Sequence, residues 1–270
     1  MKFDNNIHKS TVSNAFSRQS VVFDKIYSEN LLSEYMRKKF REELLKFARP
    51  ESRILELNCG TGMDTIYLAS KGFDIVATDN APGMLAKISE KVKALNLEHK
   101  VHVVPCDFEQ IGNLQQGTFD HIYSNFSGLN CTRNLAGVLQ QLKPLLNPGG
   151  KVSLVLMPVV CPWELIMICK GMFRTAFRRF GKNGANARIE NVHFRTWYYN
   201  PSYVKRVTRE DYDVLSLKGI CITVPPPFIE NFVERYPKLF AMLERLDKKI
   251  EYHFPFTYCC DQYMITLQLK

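Results

Sequence analysis

With 270 residues, 46% of them hydrophobic and 23% charged, the chain has enough apolar surface to offset the entropy of ordering, which excludes the disordered and fibrous classes and leaves one sizeable α/β domain with an insertion. Its formal charge of +9 favours an anionic partner without choosing among nucleic acid, an acidic membrane surface and an acidic small molecule. The eight cysteines never form C-x-x-C and several lie in apolar runs, so they are expected as reduced thiols in a cytoplasmic protein, and the polar N-terminus lacks the apolar core of a signal peptide.

After the polar start, Leu31 to Ala48 has a helical pattern that Pro50-Glu51-Ser52 closes before a first strand, Arg53 to Leu57. A turn with Gly60 and Gly62 leads into a helix ending near Lys71, and a second strand over Asp74 to Thr78 reaches Asp79. A helix from Pro82 to about Asn96 precedes a third strand, Val101 to Pro105. Phe119 to Ser124 is expected as a fourth strand, Leu135 to Leu146 as a helix, and Lys151 to Met157 as a fifth strand. Strands and helices alternating at this spacing predict a Rossmann-like, doubly wound, mostly parallel sheet.

Val152 to Cys169 is nearly long and apolar enough to cross a bilayer, but Pro158, Pro162 and Glu164 interrupt it, which suits a strand followed by a separate helix. Beyond it lies a basic, aromatic insertion, then an expected helix at Arg209 to Leu217, a strand at Ile220 to Val224, a long helix from Phe228 to about Tyr252, and a last strand at Gln262 to Leu269. The resulting division is a helical lid over residues 1–52, a core over 53–157 and 208–270, and a helical substrate cap over 158–207. Trp163, Ile166, Met167 and Phe173 are expected to line an acceptor cavity beneath that cap.

The strongest local signal is Glu56-Leu57-Asn58-Cys59-Gly60-Thr61-Gly62, which puts an acid at a strand end and glycines where the backbone turns tightly and a ligand can approach. Asp79 ends the second strand, where a doubly wound domain places a carboxylate for ribose hydroxyls; taken alone, it is equally a turn former before the helix at Pro82. Read together, these residues resemble the class I methyltransferases that use S-adenosyl-L-methionine (SAM). They are most similar to the small-molecule branch related to quinone-pathway methyltransferases. Asn58 stands where that family's first glycine lies, and asparagine is among the few residues that tolerate a left-handed turn.

The resemblance implies a seven-stranded sheet with an antiparallel last strand. It also implies SAM as cofactor, with Asp79 and the adjacent Asn80 at the ribose, Asp107 and Phe108 at the adenine, and Met84 on the other face of the base. Asn125 falls near the methionine part, and Tyr27 in a lid touches its carboxylate. Glu56, Asn58, Gly60 and Gly62 form the cofactor turn. Leu142 to Gly150 resembles the family's helix-turn before strand five, and no metal is implied.

The acceptor is then a small organic molecule, aromatic or amphipathic and acidic, with O- or C-methylation favoured. His193, among the aromatics of the insertion, is the candidate base, because imidazole titrates near neutral pH, whereas His121 reads as structural. A nicotinamide enzyme would need a third glycine where Met63-Asp64-Thr65 stands. A nucleic-acid methyltransferase is the alternative suggested by the arginines and by Trp197, Tyr198 and Tyr199, but the strand-four signature of many amino-methylating enzymes is replaced by Asn125-Phe126-Ser127-Gly128. A non-catalytic SAM-binding or membrane-surface module is a third reading, resting on the apolar-then-basic run from Trp163 to Phe180.

Overall fold

In the computed structural model, which describes residues 3–270, the apolar runs Arg53–Glu56 (β1), Asp74–Asp79 (β2), Val101–Pro105 (β3), Phe119–Ser124 (β4) and Leu146–Leu156 (β5) pair in parallel. The insertion carries a hairpin, Ala185–Ile189 (β6) and Val192–Thr196 (β7). Tyr212–Ile220 (β8) and Gln262–Leu269 (β9) complete a seven-stranded sheet of order β3-β2-β1-β4-β5-β9-β8, with β9 antiparallel to both neighbours. The order reverses beside β1, and such a switch point opens a crevice at the carboxyl ends of the strands.

Successive residues of the inner strands face opposite layers and both faces are buried, whereas the edge strand β3 fully buries only Val101. Leu55 and Val76 join one core with Leu154 and Ile265, while Ile54, Ile75 and Ala77 join another with Val155. His121 belongs to the scaffold: its Nε2 lies 2.8 Å from Ser153 Oγ, which in turn meets Thr266. Burial pushes its imidazole down to about 3.

Ahead of the sheet lie three helices, Asn5–Gln19 (α1), Phe23–Glu29 (α2) and Leu31–Phe47 (α3). Met63–Ser70 (α4), Pro82–Ala94 (α5) and Leu135–Leu142 (α6) are the crossover helices. Asp4 starts α1 by accepting the N–H groups of Asn6 and Ile7, which satisfies orphan donors of the first turn. The body of α1 then lies between α5 and the hairpin, with Phe16 and Phe194 in ring contact at 6.0 Å.

Several expectations for the C-terminal third are corrected. Arg209 to Leu217 is not a helix: Tyr212–Ile220 is strand β8, because its edge pairing with β9 outweighs the helical reading. The helix comes earlier, over Pro201–Thr208 (α9), after the short insertion helices Pro162–Leu165 (α7) and Phe173–Phe177 (α8). The expected strand at Ile220 to Val224 stops at Ile220, since Cys221 turns the chain with φ of 53°. The long helix from Phe228 is two, Phe232–Arg235 (α10) and Pro237–Ile250 (α11), because Pro237 cannot donate to the preceding turn.

The insertion is only partly helical, given its hairpin, and β5 ends at Leu156 well before α7. All eight cysteines are free thiols. Among the described residues no helix is long and apolar enough to cross a membrane.

Candidate active site

At the carboxyl ends of β1, β2 and β4 lies a cavity with about 830 Å³ of empty space, its open mouth included. It collects nine of the residues singled out from sequence: Tyr27, Glu56, Asn58, Gly60, Asp79, Asn80, Met84, Phe108 and Asn125.

The loop after β1 forms one wall. Gly60 has φ of 54°, and a side chain there would meet nothing nearer than Phe23 at 3.9 Å, so its open face belongs to the cavity. Gly62, at φ of 80°, serves a different purpose, since a Cβ would fall 2.5 Å from Ile88 of α5. It permits helix packing and does not line the cavity.

Asn58 departs from its expected role as a left-handed residue, for it is not among the positive-φ positions. Its side chain stitches two loops instead: Ser124 Oγ donates to its Oδ1 at 2.5 Å, and its Nδ2 donates to the Asn125 carbonyl at 2.9 Å. Gly128 makes room, because a Cβ there would sit 2.5 Å from the Asn58 amide.

The cavity floor is acidic. Glu56 is buried at the end of β1 and accepts from Thr65 Oγ1 at 2.5 Å. Burial, with Asp64 nearby, pushes its carboxyl up to about 8. Asp79 accepts from the N–H of Gly60 and of Ala81, each at 2.9 Å. Asp79 thus forms the turn into α5 and also lines the cavity. Burial pushes its carboxyl up, while those backbone donors pull it back.

Arg37, Asp64 and Phe126 were not found from sequence. Asp64, in the first turn of α4, accepts from Arg37 Nη1 at 2.7 Å, Arg41 Nε at 2.8 Å and Asn125 Nδ2 at 2.8 Å. The Arg37 guanidinium lies 4.5 Å from the Phe126 ring centre, and its buried Nε makes no hydrogen bond among the described residues but pairs with Glu34 at 3.6 Å. Phe126 and Ser127 follow β4 at φ of 49° and 57°, a conformation that is costly for a bulky residue and clusters at functional sites. A usable signal existed: Ser33, Arg37, Phe40 and Leu44 share the buried face of α3, and a cation on such a face requires an acid.

Residues of α1 and α2 cover the cavity. Tyr27 stacks on Phe23 with centres 4.3 Å apart and meets the edge of Phe126 at 5.8 Å; burial pushes its phenol up, opposed by Arg37. Asp24 latches α2 to the glycine loop by accepting from Thr61 Oγ1 at 2.5 Å and pairing with Lys91 at 2.5 Å. Val12 and Phe16 of α1 complete the roof.

Two candidates lie elsewhere. Asp107 does not line the cavity: it accepts the Glu109 N–H at 2.8 Å and holds Lys9 of α1 at 2.9 Å, so it ties α1 to the loop after β3. His193 is exposed on β7, 3.2 Å from Asn186 Nδ2, and lines an outer recess beside Trp197. None of Trp163, Ile166, Met167 and Phe173 lines the cavity, and Ile166 and Phe173 are exposed.

Residues 54–150 match the family model described as a methyltransferase domain. Over 118 residues the chain is 30% identical to a glycine/sarcosine N-methyltransferase of Halorhodospira halochloris, a match covering 43% of this chain and 42% of that one. Over 131 residues it is 28% identical to a demethylmenaquinone methyltransferase of Mycolicibacterium gilvum, covering 48% and 50%. The matches thus span half the length of these relatives or less. A solved structure from Listeria monocytogenes named as an S-adenosylmethionine-dependent methyltransferase aligns with a TM-score of 0.60 at 12% identity, covering 88% of this chain and 99% of that one. At that identity the likeness shows the fold.

Proposed function

We propose that this chain, whose residues 54–150 are a methyltransferase domain in the fold of the SAM-dependent methyltransferases, binds SAM in the cavity and transfers its methyl group to a small organic acceptor. One observation carries the reading: Asp79 and the open face of Gly60 share a single cavity with the acids Glu56 and Asp64 and the cation Arg37. That donor set suits a zwitterionic nucleoside. Asp79 would hold the ribose diol by paired charge-assisted hydrogen bonds, Met84 and Phe108 would flank the base, Glu56 would face the ammonium, and Arg37 with Tyr27 would meet the carboxylate.

When bound, SAM supplies an activated methyl on a sulfonium. The chain's own residues contribute alignment and exclusion of water. Tyr27, Phe126 and Phe16 wall the cavity with aromatic faces, and the Asp24 latch keeps α2 over the glycine loop. No histidine lies among the described residues that line the cavity, and His193 lines a separate outer recess, away from where a base would act. Burial pushes the lining thiol of Cys131 up to about 12, which removes it as a nucleophile at neutral pH.

The aromatic walls favour an acceptor with a flat or apolar body. A glycine/sarcosine enzyme, a demethylmenaquinone enzyme and a malonyl-[acyl-carrier protein] O-methyltransferase stand among the relatives, which supports a small-molecule acceptor and leaves its identity open. The test is incubation with methyl-labelled SAM and fractionated small-molecule extracts. Label should appear in an organic product with matching release of S-adenosylhomocysteine. Tight SAM binding without labelled product from any fraction would leave a binding protein in its place.

A further inference from the structure

The segment expected to close over an acceptor instead projects into solvent. Every residue from Ile168 to Arg174 is exposed, and Met172, Phe173 and Phe177 expose 48%, 59% and 53% of their surface. Ile168 and Phe180 are exposed beside them. Such a concentration of large apolar side chains is unusual on the surface of a protein that acts alone in water.

The stem of this tip is fixed. Buried Glu164 accepts from Arg178 at 2.8 and 2.6 Å and from Arg179 at 2.8 Å, and Arg179 reaches Asp261 at 2.6 Å. The remaining cations, Lys170, Arg174 and Lys182, are exposed and form no ion pair among the described residues. Between positions 162 and 189 the only acid is Glu164, which those arginines neutralise.

We propose that residues 166–180 dock the protein on an anionic lipid bilayer, the apolar side chains entering the boundary between headgroups and acyl chains while Lys170, Arg174 and Lys182 meet lipid phosphates. Exposed apolar residues interleaved with unpaired cations are the composition that binds such a surface. A second copy is a poorer occupant, since a two-fold contact would set the same cations against each other with no exposed acid in the segment to receive them. The tip follows the carboxyl end of β5, and the cavity lies at the carboxyl ends of the parallel strands β1, β2 and β4. Docking therefore turns the cavity's end of the sheet toward the bilayer. The inference does not depend on methyl transfer.

The test is sedimentation of the full chain with vesicles of phosphatidylcholine alone and of phosphatidylcholine mixed with phosphatidylglycerol. Binding should require phosphatidylglycerol and weaken as salt is raised. The paired substitution Met172→Glu and Phe173→Glu should weaken it at least about tenfold, and Arg174→Glu about fivefold. These side chains are exposed, so unchanged melting temperatures are expected. Leu95→Glu, an exposed apolar control just past α5 at the other end of the sheet, should bind as the parent does. Three results would overturn the proposal: no sedimentation with either vesicle, equal binding by the paired variant, or a dimer in sedimentation velocity that the paired variant abolishes without any vesicle binding.

Discussion

The Asn58 side chain is packed against Gly128 and bonded to Ser124 and Asn125. Gly128→Ala would push a methyl to within 2.5 Å of the Asn58 amide, and such overpacking costs about 1–3 kcal/mol. Adding Asn58→Gly should recover part of that loss in denaturant unfolding, although the bonds to Ser124 and Asn125 go with it. Glu56 gives a prediction in pH. Its carboxyl is raised to about 8 in the folded protein, so the folded state holds the proton more tightly than the unfolded chain. Its contribution to stability is present below the ordinary carboxylate range and is lost as pH rises through about 8. The ligand-free melting temperature of Glu56→Gln should therefore fall less than the parent's between about pH 6 and about pH 9. Glu56, Gly60 and Asp79 were legible because they lie at strand ends and in the tight turn that follows β1. Arg37 and Asp64 were harder to read, because a cation on the apolar face of α3 calls for an acid without saying which distant residue supplies it.

At the scale of elements, α1 rests on α5 through a close approach. A Cβ on Gly83 would meet the Ser17 carbonyl oxygen at 2.5 Å, and the Gly83 N–H donates to Ser17 Oγ at 3.2 Å. Gly83→Ala should lift the end of α1 from the start of α5. In stopped-flow measurement SAM should leave several-fold faster, with little change in the melting temperature of the core; an unaltered dissociation rate would separate α1 from any gating role. The strands of the parallel core were readable because burial on both faces makes them continuous apolar runs. Strand β8 was not, since its burial alternates irregularly along Tyr212–Ile220 and its identity depends on β9, more than forty residues later. The insertion misled for a related reason: an apolar run followed by arginines reads alike whether it faces a cavity or solvent.

For the whole molecule, the sheet order places one crevice beside β1, and all the chemistry proposed here converges there. His193 lies outside it on the exposed hairpin, so His193→Ala should leave both SAM affinity and turnover within about twofold of the parent. A loss of turnover alone would return the hairpin to the active site. The central claim is that the cavity is a SAM site organised by Asp79, and calorimetric titration of SAM into the parent, Asp79→Asn and Gly60→Val tests it most directly. Saturable one-to-one binding to the parent is expected, weakened at least about tenfold in Asp79→Asn, a loss of about 1.4 kcal/mol, and abolished in Gly60→Val, with all three proteins folded. No binding to the parent, or equal affinity in folded Asp79→Asn and Gly60→Val, would contradict it.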